Sequence, residues 1–197
     1  MKRALTFVVV TLSLTTTILQ AAGPQMASTG DRGRYLVGIM GCNDCHTPFK
    51  MGPHGPEPDM ARFLSGHPAG MALQPPKISG EGWMWAGAVT NTAFSGPWGI
   101  TYAPNITSDA TGIGPWTEEN FLKAIKTGKH LGVGRPIFPP MPWQAYSRAT
   151  DEDLKAVFAF LKTVPAIKNQ APEAQLAPPP GAPAGAAAAP PAPAKKK

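Results

Sequence analysis

Cysteine is scarce: the 197-residue chain has two, Cys42 and Cys45, so no framework of several disulfides staples it. Charge is thin as well, at 15% Asp, Glu, Lys and Arg, and unevenly placed. The net charge of +6 owes five cations to the ends, Lys2 and Arg3 and then Lys195 to Lys197. Residues 23–168 carry 13 Lys and Arg against 11 Asp and Glu. A region that close to neutral lacks the basic face that nucleic-acid binding needs. Long apolar runs are missing except at the start. There Lys2 and Arg3 precede an apolar stretch from Ala4 to Leu19, and the small residues Ala21 and Ala22 follow. The stretch is diluted by Thr and Ser and is short for a membrane span. Residues 1–22 therefore read as a signal peptide, with an uncleaved membrane tether as the alternative. Either places the rest of the chain outside the cytoplasm.

Proline and glycine are plentiful, at 24 and 21. Residues 169–197 hold eight Pro and eleven Ala and almost no large apolar side chains. Such a segment buries too little surface to offset its ordering entropy and reads as a disordered tail. One domain is then expected over residues 28–168, with three helices. The first runs from about Thr29 to Gly41, with Leu36, Ile39 and Met40 at helical spacing. The second starts at the N-cap Thr117, buries Phe121, Ala124 and Ile125, and ends at Gly128. The third starts at Thr150, repeats Leu154, Val157, Phe158 and Leu161, and stops at Pro165. Between Thr47 and Pro115 the chain is Gly/Pro-rich, with short strands expected around Trp83–Val89 and Trp98–Tyr102. So long a stretch without its own core needs something to pack around.

Residues 42–46 read Cys-Asn-Asp-Cys-His, the Cys-x-x-Cys-His signature of covalent haem attachment. On a helical turn, positions i, i+3 and i+4 share a face. Cys42 and Cys45 can then form thioethers to the haem vinyl groups while His46 ligates the iron. Export agrees, because c-type attachment takes place outside the cytoplasm. A thioredoxin-like pair would need a βαβ context, which the sequence does not offer. A structural zinc site would need further ligands at tight spacing.

The sixth iron position separates an electron carrier from a haem enzyme. Met141 is the leading ligand, in Pro139-Pro140-Met141-Pro142-Trp143. Three prolines stiffen that loop, and a thioether ligand raises the potential and closes the iron. The metal ligands are thus expected to be His46 and Met141. The bland alternative is Met141 as a core filler. His130, His54 and His67 are weaker ligand candidates, as are Met40, Met51, Met60, Met71 and Met84. Trp98, Tyr102, Trp116 and Trp143 read as core packing before any role lining the haem or donating to a propionate. Lys123, Lys126, Lys129 and Arg135 read as a solvated face before a surface that steers an acidic redox partner.

Taken together, the attachment motif with Thr47-Pro48, the run Pro104-Asn105-Ile106-Thr107, Thr111-Gly112-Ile113-Gly114 with Trp116, the helix over 119–128, Met141-Pro142-Trp143 and the helix after Thr150 resemble class I cytochrome c domains. They look most like the cytochrome c subunits of periplasmic alcohol and sugar dehydrogenases. The likeness is good over residues 28–49 and 96–165 and poor over 50–95, which reads as an insertion. The resemblance implies a mostly α, class I cytochrome c fold around one haem c, with His46 proximal and Met141 distal. It implies a periplasmic electron-transfer protein rather than an enzyme, passing single electrons from a dehydrogenase toward a membrane oxidase. Its partners would be a redox donor and acceptor, with no nucleic acid. Such subunits often carry several haems, whereas this chain has one attachment motif. A haem enzyme or gas-binding module with an open sixth position is the alternative.

Overall fold

The computed structural model describes residues 28–74, 76 and 82–178. The expected signal peptide, the Lys195–Lys197 tip and most of the expected tail lie outside the described residues. Among the described residues no helix is long and apolar enough to cross a membrane.

Helix α1 runs Thr29–Ile39 and is capped by the Ser28 side chain, which accepts from the Asp31 N–H. It ends two residues before the expected boundary, because Gly41 takes a left-handed φ of 67° and turns the chain. A five-residue helix, α2, follows over Cys42–His46. Helix α3 runs Glu118–Thr127 between the N-cap Thr117 and a left-handed Gly128. A short helix, α4, spans Trp143–Tyr146. Helix α5 runs Asp151–Thr163, and its N-cap Thr150 accepts from the Asp153 N–H. The caps of α3 and α5 are those expected from the sequence.

The main core lies where α1 crosses α5 and α3 packs beside them. Leu36, Val37, Phe121, Ile125, Leu154, Val157, Phe158 and Leu161 meet there, with Leu64 and Ile113 from the loops. Gly33 sets the crossing: a Cβ there would overlap the Ala156 carbonyl and lie 2.7 Å from Phe160 Cβ. Arg32 adds an ion pair with Asp153 at 2.8 Å across the same helices.

The middle of the chain holds its own structure. Strands β1 (Phe49–Gly52) and β2 (Gly55–Pro58) form an antiparallel hairpin. Strands β3 (Ala86–Gly87), β4 (Ala93–Gly96) and β5 (Gly99–Tyr102) form an antiparallel sheet. Its fourth strand is β6, Gln175–Leu176, paired with β5. The two expected strands are therefore present in shortened form, while β1, β2, β4 and β6 went unread.

Two expectations need correction. The Gly/Pro-rich middle was expected to lack a core of its own. Instead, Ala93, Ile100 and Tyr102 form a second apolar cluster, and buried polar groups tie the loops together. The disordered tail was expected from residue 169, yet Asn169 is only 4% exposed. Its amide donates to Ser65 O at 2.6 Å and His67 O at 2.8 Å, and its Oδ1 accepts from the Ala69 N–H at 2.8 Å. A composition-based reading missed this because one fully hydrogen-bonded amide and one short strand anchor the segment with few large apolar groups.

Candidate functional site

Helix α2 brings Cys42, Cys45 and His46 onto one turn. Both cysteines are free thiols and half-buried. Burial pushes the Cys42 thiol up to about 11, against an opposing backbone hydrogen bond and with help from the Asp44 charge. Burial and then Asp44 also raise Cys45. Reactive dithiols have lowered values, so the pair is unlike a thioredoxin-type centre. Among the described residues no three His, Cys, Asp or Glu side chains gather as metal ligands.

His46 is 7% exposed. Its Nδ1–H donates to Pro104 O at 2.8 Å. A carbonyl can only accept, so the proton is on Nδ1 and the Nε2 lone pair is free. Burial lowers the His46 pKa, with the Pro104 bond opposing, so the ring is held neutral. Both sides of His46 are fixed by backbone. Gly66 N–H donates to His46 O at 2.7 Å, and Leu64 N–H donates to Thr47 Oγ1 at 3.0 Å. Pro104 is held in turn by Asn105, whose amide donates to Ile167 O at 2.7 Å and Thr111 Oγ1 at 3.0 Å. Asn105 Oδ1 accepts from the Thr107 N–H at 2.9 Å. The run Pro104–Thr107 was legible as a motif, but its part in orienting His46 was not, since 58 residues separate the bonded pair.

Met40, Cys42, Ile106, Trp116, Leu122, Met141 and Tyr146 are half-buried and pack against the main core. The Tyr146 hydroxyl donates to Met40 O. Met141 sits in a loop pinned at both ends. Thr101 Oγ1 donates to Pro139 O at 2.7 Å. On the other side the Trp143 ring packs against Gly128, where any Cβ would overlap it.

The other ligand candidates lie elsewhere. His67 is fully buried with both ring nitrogens engaged, by Met71 O at 2.7 Å and Thr92 Oγ1 at 2.8 Å. His54 is exposed in the β1–β2 turn. His130 is exposed and stands edge-on to Trp116 at 5.0 Å. Met51, Met60, Met71 and Met84 are exposed. Of the basic residues read as a solvated face, Lys123 pairs with Glu119 at 2.6 Å and Lys126 with Asp151 at 3.0 Å.

No family model matches the chain. It is 33% identical over 147 residues to the fructose dehydrogenase cytochrome subunit of Gluconobacter japonicus, covering 74% of this chain and 23% of that protein. It is 30% identical, over 72% of this chain and 23% of the relative, to the cytochrome c subunit of a quinone alcohol dehydrogenase of Gluconobacter oxydans (strain 621H). Over 65 residues, 32% of this chain and 14% of the relative, it is 40% identical to the gluconate 2-dehydrogenase cytochrome c subunit of Pantoea cypripedii. The chain thus spans under a quarter of the length of the relatives it matches. These likenesses make the chain a homologue of the cytochrome c subunits of fructose, alcohol and gluconate dehydrogenases.

Proposed function

We propose that the chain is an exported mono-haem c-type cytochrome that passes single electrons between a dehydrogenase and the respiratory chain. Cys42 and Cys45 would hold the haem covalently, His46 would be the proximal iron ligand and Met141 the distal one. The observation that carries this reading is the His46 imidazole beside two unpaired thiols. It is neutral, fixed through Nδ1 and open at Nε2. A metal-binding His usually donates its second N–H to an acceptor in this way, which sets the tautomer and raises ligand basicity.

Ile106, Trp116, Leu122 and Met141 pack half-buried on the main core, and their remaining apolar surface suits contact with a large apolar group. When bound, haem supplies an iron that cycles between Fe(III) and Fe(II). The protein's part is to hold His46 and Met141 still between the two states. Pinning of the Met141 loop by Thr101 and Trp143 supports that role. Relatives that are subunits of dehydrogenase complexes support a redox protein as partner. The signal-like N-terminus supports a periplasmic location, which agrees with covalent haem attachment outside the cytoplasm.

The first test is the visible spectrum of the exported protein in both oxidation states. A c-type reduced spectrum with a far-red iron–thioether band is expected. Met141→Ala should abolish that band, lower the midpoint potential and let carbon monoxide bind rapidly to the reduced protein. An unchanged band and potential in the variant would remove Met141 as the ligand. A high-spin native spectrum without the band would favour an open iron and a gas-binding or enzymatic role.

A further inference from the structure

One buried ionisable side chain stands outside the proposed iron site. His67 is fully buried, yet it shares a backbone frame with His46. Gly66 N–H donates to His46 O at 2.7 Å, and the next N–H along, that of His67, donates to Ala103 O at 2.8 Å. Pro104 O, the carbonyl after Ala103, accepts from the His46 ring at 2.8 Å. Neighbouring residues of two short segments therefore hold both histidines.

The surroundings of His67 accept its ring in two protonation states. Met71 O lies 2.7 Å from Nε2, and a carbonyl only accepts, so Nε2 carries a proton. Nδ1 faces Thr92 Oγ1 at 2.8 Å, and Thr92 Oγ1 lies 3.0 Å from Thr90 Oγ1. A hydroxyl donates or accepts as its proton turns. With the ring neutral, Thr92 donates to Nδ1 and Thr90 donates to Thr92. With the ring charged, Nδ1–H donates to Thr92, and Thr92 turns its proton to Thr90. Both ring nitrogens stay paired in either state. Thr90 adjoins the exposed Val89, so the hydroxyl pair runs toward the surface. The titratable groups facing the ring are Arg62 and Tyr102, whose ring stands 4.8 Å away. Thr92, Met71 and Asn169 bring no charge. Burial disfavours the cation, the Met71 carbonyl opposes that, and the Arg62 charge adds to it. A negative charge added to the interior nearby would offset the penalty, and reduction of a haem iron adds one.

We propose that His67 is a proton site coupled to electron transfer: its Nδ1 takes a proton from solvent when the iron is reduced and returns it when the iron is oxidised. The inference rests on the functional reading above. The electron comes from the redox partner and the proton from water or buffer, where an O–H bond breaks as the Nδ1–H bond forms. One electron and one proton then enter together, and the net charge of the interior is unchanged. Charges this close in a protein interior alter proton affinity roughly fivefold. The coupling makes the chain a better electron acceptor as its surroundings turn acidic.

The test uses the haem-loaded full chain. Its midpoint potential should rise as the pH is lowered below about 6.5, the ordinary histidine value, because the ferrous protein holds the proton more tightly. His67→Gln keeps a donor for Met71 O and an acceptor for Thr92 but takes no proton. The rise should be smaller in that variant, with the iron–thioether band unchanged, and what remains belongs to haem propionates and other groups. A second measurement needs no variant. In wild-type protein labelled with nitrogen-15 histidine, the His67 ring is assigned by its contacts to the Tyr102 ring protons and titrated in both oxidation states. It should bind its proton roughly fivefold more tightly in the ferrous protein. Equal proton affinity in the two states would overturn the coupling alone, as would a ring that stays neutral until the fold is lost. A loaded His67→Gln with the wild-type pH profile would do the same. A wild-type protein without covalent haem would overturn the functional reading itself.

Discussion

At the scale of single residues, local chemistry was the most legible part of the site. Cys42, Cys45 and His46 lie next to one another, and the turn that aligns them needs five residues. What the sequence hid was the atom that orients the ring. Pro104 O is a backbone carbonyl with no side-chain signature, and it reaches His46 from 58 positions away. His67 was hidden for a similar reason. It reads as a loop histidine, but it is a buried bridge between Thr92 and Met71 and lies 4.8 Å from the Tyr102 ring. Burial lowers its pKa first, the Met71 carbonyl opposes, and the Arg62 charge lowers it further.

The sign of the resulting pH effect follows from proton counts. The unfolded chain takes up a proton on His67 near the ordinary value of about 6.5, while the folded chain resists it. Below that pH the unfolded state binds more protons, so stability falls as the pH is lowered toward the folded pKa. The melting temperature of the haem-loaded protein should therefore drop below about pH 6.5. His67→Gln should flatten that slope without removing it, since burial also depresses His130. A slope identical in wild type and variant would show that His67 stays neutral in neither state preferentially.

At the scale of elements, helices with their own start and stop chemistry were readable. Thr117, Gly128 and Thr150 occupy the caps expected of them, and the 3.6-residue apolar stripes of α3 and α5 point into the core. Short strands were not readable in the same way. Strand β3 has two residues and β6 has two, too few for any alternation to show. The crossing of α1 and α5 was equally silent, because Gly33 and Gly38 look alike in sequence. In the fold they differ sharply: a Cβ at Gly33 would collide with α5, whereas one at Gly38 meets nothing within 4 Å. Gly33→Ala should cost about 1–3 kcal/mol through forced separation of the helices. Gly38→Ala should be neutral or stabilise by roughly 0.5–1 kcal/mol, since alanine is the better helix former. Urea unfolding of the two variants side by side checks this, and equal midpoints would refute close packing at Gly33.

At the scale of the whole molecule, the C-terminal end of the described chain is tied to its centre, which composition could not show. The loop that backs His46, Leu64–His67, is held by Asn169 through two carbonyls. The same amide accepts from Ala69 and from Arg62 at 3.2 Å. Strand β6 then extends the sheet on the far side, and Gln175 Nε2 donates to the Tyr102 hydroxyl at 3.1 Å. The segment after Lys168 is thus a strap over the loops that orient the candidate ligand. Asn169→Ala should leave several buried polar groups without partners, at about 1–3 kcal/mol for each one that water cannot reach. Ending the chain at Lys168 should lower the melting temperature further, because it also removes β6 and the Gln175 bond. Covalent haem content should survive in Asn169→Ala, since Cys42, Cys45 and His46 keep their own helix, and only the stability of the loaded protein should fall. Equal melting temperatures for the point variant and the truncated chain would mean that β6 adds nothing beyond Asn169. A truncated chain as stable as wild type would mean that the strap does not hold the His46 loop at all.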